Sequence, residues 1–194
     1  MAHADTFTRG DAEITAFHET WPGHHLQLAY AQRLKGVHPV SRLLGNSGFI
    51  EGWARYAEAL AEEASLYRTA SAKILRRTWP ARGMVVDPGL HALGWTREQV
   101  VAFIEASGRF KGAEAQDAVD RIAAIPGQLT AYDSGAQLFF ELRRAAETEL
   151  GPQFNLPTFH DALLENGSVP LPMLRAHVER WIELQKKRPM AEAK

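Results

Sequence analysis

Apolar residues recur at helical spacing through most of the 194-residue chain, and alternating, strand-like stretches are scarce. A first helix is predicted from about Asp11 to Lys35. It carries an irregularity at Pro22-Gly23, because Pro22 lacks a backbone donor and its ring meets the preceding turn. The Gly-Val-His-Pro segment after Lys35 ends it. Gly48 to Tyr67, dense in Ala, Glu and Leu, reads as a second helix. Another covers about Ser71 to Trp79, and Pro80 interrupts the helical pattern beyond it. Thr96 with Gln99 three residues later forms a capping-box pattern. Helices are then predicted over Thr96 to Ser107, Ala113 to Ala124 and Gly127 to Leu150, the last stopped by Gly151-Pro152. Pro157 to Glu165 and Pro170 to Lys186 complete the set, while residues 1–10 and 187–194 read as frayed ends. The expected fold class is all-α, in one helical domain.

Composition narrows the function classes. Hydrophobic residues make up 45% of the chain and charged residues 23%, as in ordinary globular proteins. A formal net charge of −1 advertises no basic face for nucleic acid or anionic lipid. With no cysteine, disulfides, thiolate metal sites and a cysteine nucleophile are excluded together. No apolar run approaches the roughly 18 residues of a membrane span. The first residues lack the basic start and apolar stretch of a signal peptide. The expectation from these features is a cytoplasmic protein that engages neither membrane nor nucleic acid.

Candidate chemistry concentrates in His18-Glu19-Thr20-Trp21-Pro22-Gly23-His24-His25. Zinc hydrolases need neutral imidazoles as ligands, one open position for water, and a carboxylate beside that water to take its proton. The H-E-x-x-H pattern places two histidines one helical turn apart. Here the residue four after His18 is Pro22, so that spacing is absent. A straight helix would also carry His25 two turns away, too far to share an ion with His18. A Pro-Gly bulge can absorb the extra residues and return His24 to the face of His18, so His24 is favoured over His25. On the second helix, Glu51 sits among Phe49, Ile50, Gly52 and Trp53, a setting in which a carboxylate is costly unless paired or bound to metal. Glu58 lies two turns further on the same face and suits a role in orienting a ligand histidine, whereas Glu62 and Glu63 read as a solvated face. The expected metal ligands are His18, His24 and Glu51, with Glu19 as the base.

The pattern H-E-x-x-P-G-H-H-L-Q followed by G-F-x-E-G-W-A-x-Y-A-E resembles the bacterial family called domain of unknown function 885. The resemblance continues through Val85 to His91, Gly94 to Gln99, Pro126-Gly127-Gln128 with Tyr132, Phe159-His160-Asp161 and Gly167 to Leu171. It spans about Phe17 to Trp181 and implies a zincin-like helical domain of the gluzincin type, with the metal site between two core helices. The activity it implies is zinc-dependent hydrolysis of an amide or related carbonyl. Members of that family are usually much longer, so the chain corresponds to their C-terminal, metal-bearing half. An exposed cleft wall then implies a homo-oligomer or a partner chain completing the site. Similar proteins carry Ala-Leu-x-Tyr-Lys-Ile where this chain has Leu129-Thr130-Ala131-Tyr132-Asp133-Ser134, so the surroundings of Tyr132 are acidic and small instead of basic and apolar.

Tyr132 is the candidate donor to an oxyanion, with a core tyrosine as the competing reading. Asp87 and His91, four residues apart, either support the transition state or cap a loop. Arg82 and Arg121 could clamp a substrate carboxylate, although isolated arginines are more often surface residues. His160 reads as structural, and His3, His38 and His177 receive no role. Two other functions compete with a zinc peptidase: a repurposed metal enzyme acting on a small molecule, and a non-catalytic subunit that binds a partner.

Overall fold

The computed structural model describes residues 8–43, 45–78, 82–108 and 110–188. It is all-α, and among the described residues there is no strand. The helices are α1 (Arg9–Glu19), α2 (His24–Arg33), α3 (Pro39–Leu43), α4 (Ser47–Glu63), α5 (Ala70–Thr78), α6 (Gly83–His91), α7 (Arg97–Ala106), α8 (Ala113–Ala124), α9 (Gln128–Leu150), α10 (Leu156–Leu164) and α11 (Leu171–Lys186). The expected break at Pro80, the end of the third predicted helix at Trp79, and the fraying expected of residues 1–7 and 189–194 lie outside the described residues.

Four helix starts are set by short polar caps that satisfy amides with no partner in their own helix. Thr96 and Gln99 form the expected capping box on α7. Thr8 and Asp11 form another on α1, so residues 8–10 are ordered helix start instead of frayed end, and Gly10 is buried. Asn46 caps α4 through the Phe49 amide, and Asn155 caps α10 through the Thr158 amide. The predicted first helix is in fact two: α1 stops at Glu19 and α2 restarts at His24. Between them the backbone folds so tightly that a Cβ on Gly23 would lie 1.9 Å from the His18 carbonyl oxygen. Only glycine tolerates that approach. Two short elements escaped the pattern, α3 and α6; the latter holds Pro88 within its length.

The spine of the fold is α4 packed on α9, the most extensive helix pair. They cross where Gly48 and Gly52 meet Gly135; a Cβ on Gly135 would sit 1.9 Å from the Gly48 carbonyl oxygen, so the two backbones touch. α4 is buried almost all round, as expected of a central helix. The main core joins Phe49, Trp53, Tyr56 and Phe139 to Phe159, Leu163, Leu174, Val178 and Ile182 from α10 and α11. A second core, formed by Val86, Val100, Ile104, Ala115, Val119 and Ile122, holds α6, α7 and α8 together. A small third cluster of Ala61, Tyr67 and Ala72 seats α1 through Ile14 and Phe17.

The α6–α8 group is tied to the spine by Asp87. Its carboxylate accepts hydrogen bonds from the amides of Gly127, Leu129 and Thr130 at 2.9, 3.0 and 3.1 Å. Asp87 therefore caps α9 from another helix, and Gly127 turns into α9 with φ 80°, a left-handed conformation that favours glycine.

Candidate metal centre

His18 stands in the last turn of α1, His24 opens α2, and Glu51 faces both from the first turns of α4. The tight passage through Pro22-Gly23 carries the chain back on itself, and the Trp53 indole fixes it by donating to the carbonyls of Pro22 at 3.0 Å and Gly23 at 3.3 Å. The two imidazoles meet edge to face with centroids 4.6 Å apart. Nε2 of His18 and Nε2 of His24 each lie 3.4 Å from Glu51 Oε2. One ligand atom from each of these residues falls within 4.8 Å of the others. Ligands at about 2.0–2.1 Å from a tetrahedral zinc ion stand about 3.3 Å apart, which the two histidine–glutamate spacings match. Glu51 Oε2 is buried without a hydrogen bond, as is His24 Nδ1. A buried carboxylate oxygen in that condition is costly unless a cation meets it.

Neighbouring side chains aim these groups. Nδ1 of His18 donates to Glu58 Oε1 at 2.8 Å, which turns Nε2 toward Glu51. Glu58, 2% exposed, also pairs with Arg55. Arg55 in turn donates to Asp133 Oδ1 at 3.3 Å and to the Arg76 carbonyl at 2.7 Å. Glu51 Oε1 accepts a hydrogen bond from Gln128 Nε2 at 2.8 Å, leaving Oε2 for the cluster. Tyr132, one turn along α9 from Gln128, stacks on His18 with centroids 5.8 Å apart and planes 18° from parallel.

The electrostatics are set by this crowding. Burial presses the His18 imidazolium to lose its proton, but the carboxylates of Glu51 and Glu58 outweigh it and raise the pKa to about 9. Burial raises Glu51, yet the imidazoles of His18 and His24 hold it down at about 2. Burial first, and then the charge of Glu51, push the Tyr132 phenol up to about 12, so it stays a neutral donor at ordinary pH.

Among the expected site residues, the structure brings together His18, His24, Glu51 and Tyr132. His25 is exposed on α2, its ring 6.4 Å from that of Trp21. Glu19 ends α1 with an exposed side chain, next in sequence to His18. His91 is engaged elsewhere: its Nε2 bonds the Ile122 carbonyl at 3.0 Å and stands 3.8 Å from Asp87 Oδ1. Of the two readings of the Asp87–His91 pair, the geometry is that of a cap. His160 packs among Trp53, Tyr56 and Phe159, as a structural histidine does. Sequence reasoning missed Gln128, although its spacing of four from Tyr132 places both on one face of α9. It also missed the Arg55–Asp133 link, which gives the acidic residue after Tyr132 a partner.

Among the described residues no helix is long and apolar enough to cross a membrane. Solved structures that share the fold include two bacterial proteins. A candidate lipoprotein from Colwellia psychrerythraea superposes with a TM-score of 0.87 at 30% identity, over 95% of this chain and 32% of its own length. A candidate lipoprotein of unknown function from Shewanella oneidensis gives a TM-score of 0.77 at 28% identity, over 88% of this chain and 32% of its own. The chain thus spans about a third of the length of these relatives. No curated protein matches it. The family model for bacterial proteins of unknown function, domain of unknown function 885, matches residues 1–178, and the chain belongs to that family.

Proposed function

We propose that this protein is a zinc-dependent hydrolase, similar to metallopeptidases of the gluzincin type, acting on an amide or related carbonyl. His18 and His24 through Nε2 and Glu51 through Oε2 would hold the ion. The single observation that carries the reading is the convergence of these three donors around a buried, unsatisfied carboxylate oxygen. A bound zinc ion supplies Lewis acidity, polarising a carbonyl and lowering the pKa of water toward about 7.

The chain's own groups do the remaining work. Glu19, exposed and next in sequence to His18, would accept the proton of the attacking water. Oxygen adds to the acyl carbon, the C–N bond breaks, and the departing nitrogen takes up that proton. Tyr132, kept protonated by burial, donates to the oxygen on which charge develops. Glu58 holds His18 in the tautomer whose Nε2 faces Glu51.

Metal analysis after zinc loading tests the reading. One equivalent per chain is expected, lost in both His18→Ala and Glu51→Ala; a chain that takes up no zinc refutes it. Glu19→Gln should keep the zinc and lose turnover on a peptide panel. A second reading, a metal enzyme working on a small molecule, is favoured by the Asp133 pairing with Arg55, because it alters the ground beside Tyr132. A peptide panel without turnover, set against a zinc-loaded protein, would favour that reading. The partner or homo-oligomer expectation is read by sedimentation velocity, where a monodisperse monomer removes it. The cytoplasmic expectation meets a contrary sign in two relatives described as candidate lipoproteins, and cell fractionation decides it.

A further inference from the structure

A cavity of about 310 Å³ lies between α6, α7, α8 and the start of α9. Its wall is apolar, built from Val86, Ile104, Phe110, Ile122 and Leu129. The cavity is open to solvent on one side, and its volume falls at the small end of the roughly 300–1,000 Å³ range of small-molecule sites. Tyr132 lines it and also stacks on His18, so one phenol ring is the partition between the cavity and the metal cluster. Charged groups are confined to the lining from Arg82 and from one face of α8, where Glu114, Asp117 and Arg121 recur at helical spacing. Arg82 is occupied in part by the Ser107 carbonyl, 3.1 Å from its Nη2. Arg121 makes no hydrogen bond or ion pair among the described residues, and its positive charge is felt at Tyr132.

We infer that this cavity receives the residue on the amine side of the scissile bond, with its apolar side chain in the cavity and its free carboxylate on Arg121. The inference rests on the hydrolase reading and narrows it. The substrate class is then an N-acyl amino acid, or a peptide cut at its last bond, whose C-terminal residue is aliphatic or aromatic. With the scissile carbonyl at the cluster, the partition ring of Tyr132 lies between the reacting carbon and the buried side chain. The Arg121 guanidinium, with no ion pair among the described residues, gives the carboxylate a bidentate partner. Hydrolysis adds water across the C–N bond and releases the amino acid from the cavity with its carboxylate intact.

The test is calorimetric titration of zinc-loaded protein with 3-phenylpropanoate, 3-phenylpropanamide and 3-phenylpropylamine. The carboxylate should bind at least about tenfold tighter than the amide, the scale of a charge-assisted hydrogen bond. Arg121→Gln should abolish that preference while keeping its zinc, and Ala118→Phe, which fills the cavity, should weaken both ligands. A preference that survives Arg121→Gln overturns the inference, because the carboxylate would then be on the metal. Tighter binding of the amine overturns it too, since Glu114 or Asp117 would set recognition. Zinc bound with no carboxylate preference sinks the pocket assignment alone. A chain that binds no zinc yet keeps the Arg121-dependent preference sinks only the metal reading.

Discussion

Two largely buried histidines flank α4 and behave in opposite ways. His18 lies between Glu51 and Glu58, and the two carboxylates raise its pKa to about 9 against the pull of burial. His160 touches Trp53, Tyr56 and Phe159, and burial, helped by the Arg143 charge, lowers it to about 4. Both are partnered: His18 by Glu58 at 2.8 Å and His160 by the Tyr56 hydroxyl at 3.0 Å. A histidine that serves as a core group is kept neutral by apolar neighbours, whereas one surrounded by acids marks a place prepared for positive charge. The contrast separates a site from a packing solution better than burial does.

The largest expected effect comes from removing the acid that defines the first environment. Glu58→Ala leaves Arg55 buried without its nearest partner and should cost about 3–5 kcal/mol in urea unfolding; a cost below about 1 kcal/mol would show the network to be ornamental to folding. The gentler Glu58→Gln should lower zinc affinity by about 10–100-fold, and unchanged affinity would remove Glu58 from the centre. Gly135→Ala wedges apart the helices that carry both histidine environments and should destabilise by about 1–3 kcal/mol; a neutral result in thermal unfolding would contradict the backbone contact. Asp87→Ala removes the borrowed cap of α9 and should cost about 0.5–2 kcal/mol, without loss of zinc stoichiometry. A separate effect, read without any substitution, is the pH dependence owed to His160. Its folded value of about 4 lies below the ordinary 6.5, so between these the unfolded chain binds more protons. Stability should therefore fall as pH drops from about 6.5 to about 4, and His160→Phe should flatten that part of the profile.

Much of this was legible in the sequence because it depends on local rules. Helix α8 has the bounds predicted, and α7, α9, α10 and α11 begin or end within a residue of theirs. The capping box at Thr96 and the stop at Gly151 need no tertiary information. His24 as the partner of His18 came from the need to absorb Pro22-Gly23. What stayed hidden depends on residues far apart in the chain. Asp87 looked like a partner for His91 because the two are four apart, but the first amides of α9 claim its carboxylate. Helix α6 was invisible because Pro88 and two glycines lower its helical signal, and tertiary packing through Val86 overrides that. Gln128 finds Glu51 only because α9 crosses α4 at the glycine contact.

That crossing has a consequence for how the protein can vary. Where side chains separate two helices, their spacing drifts whenever a residue changes size. Here main chain rests on main chain, so the gap from Glu51 to Gln128 and Tyr132 is fixed by atoms that every sequence shares. The surroundings of Tyr132 can accordingly be rewritten without loosening the grip on the carboxylate. The dimension that matters most is guarded by residues with no side chain.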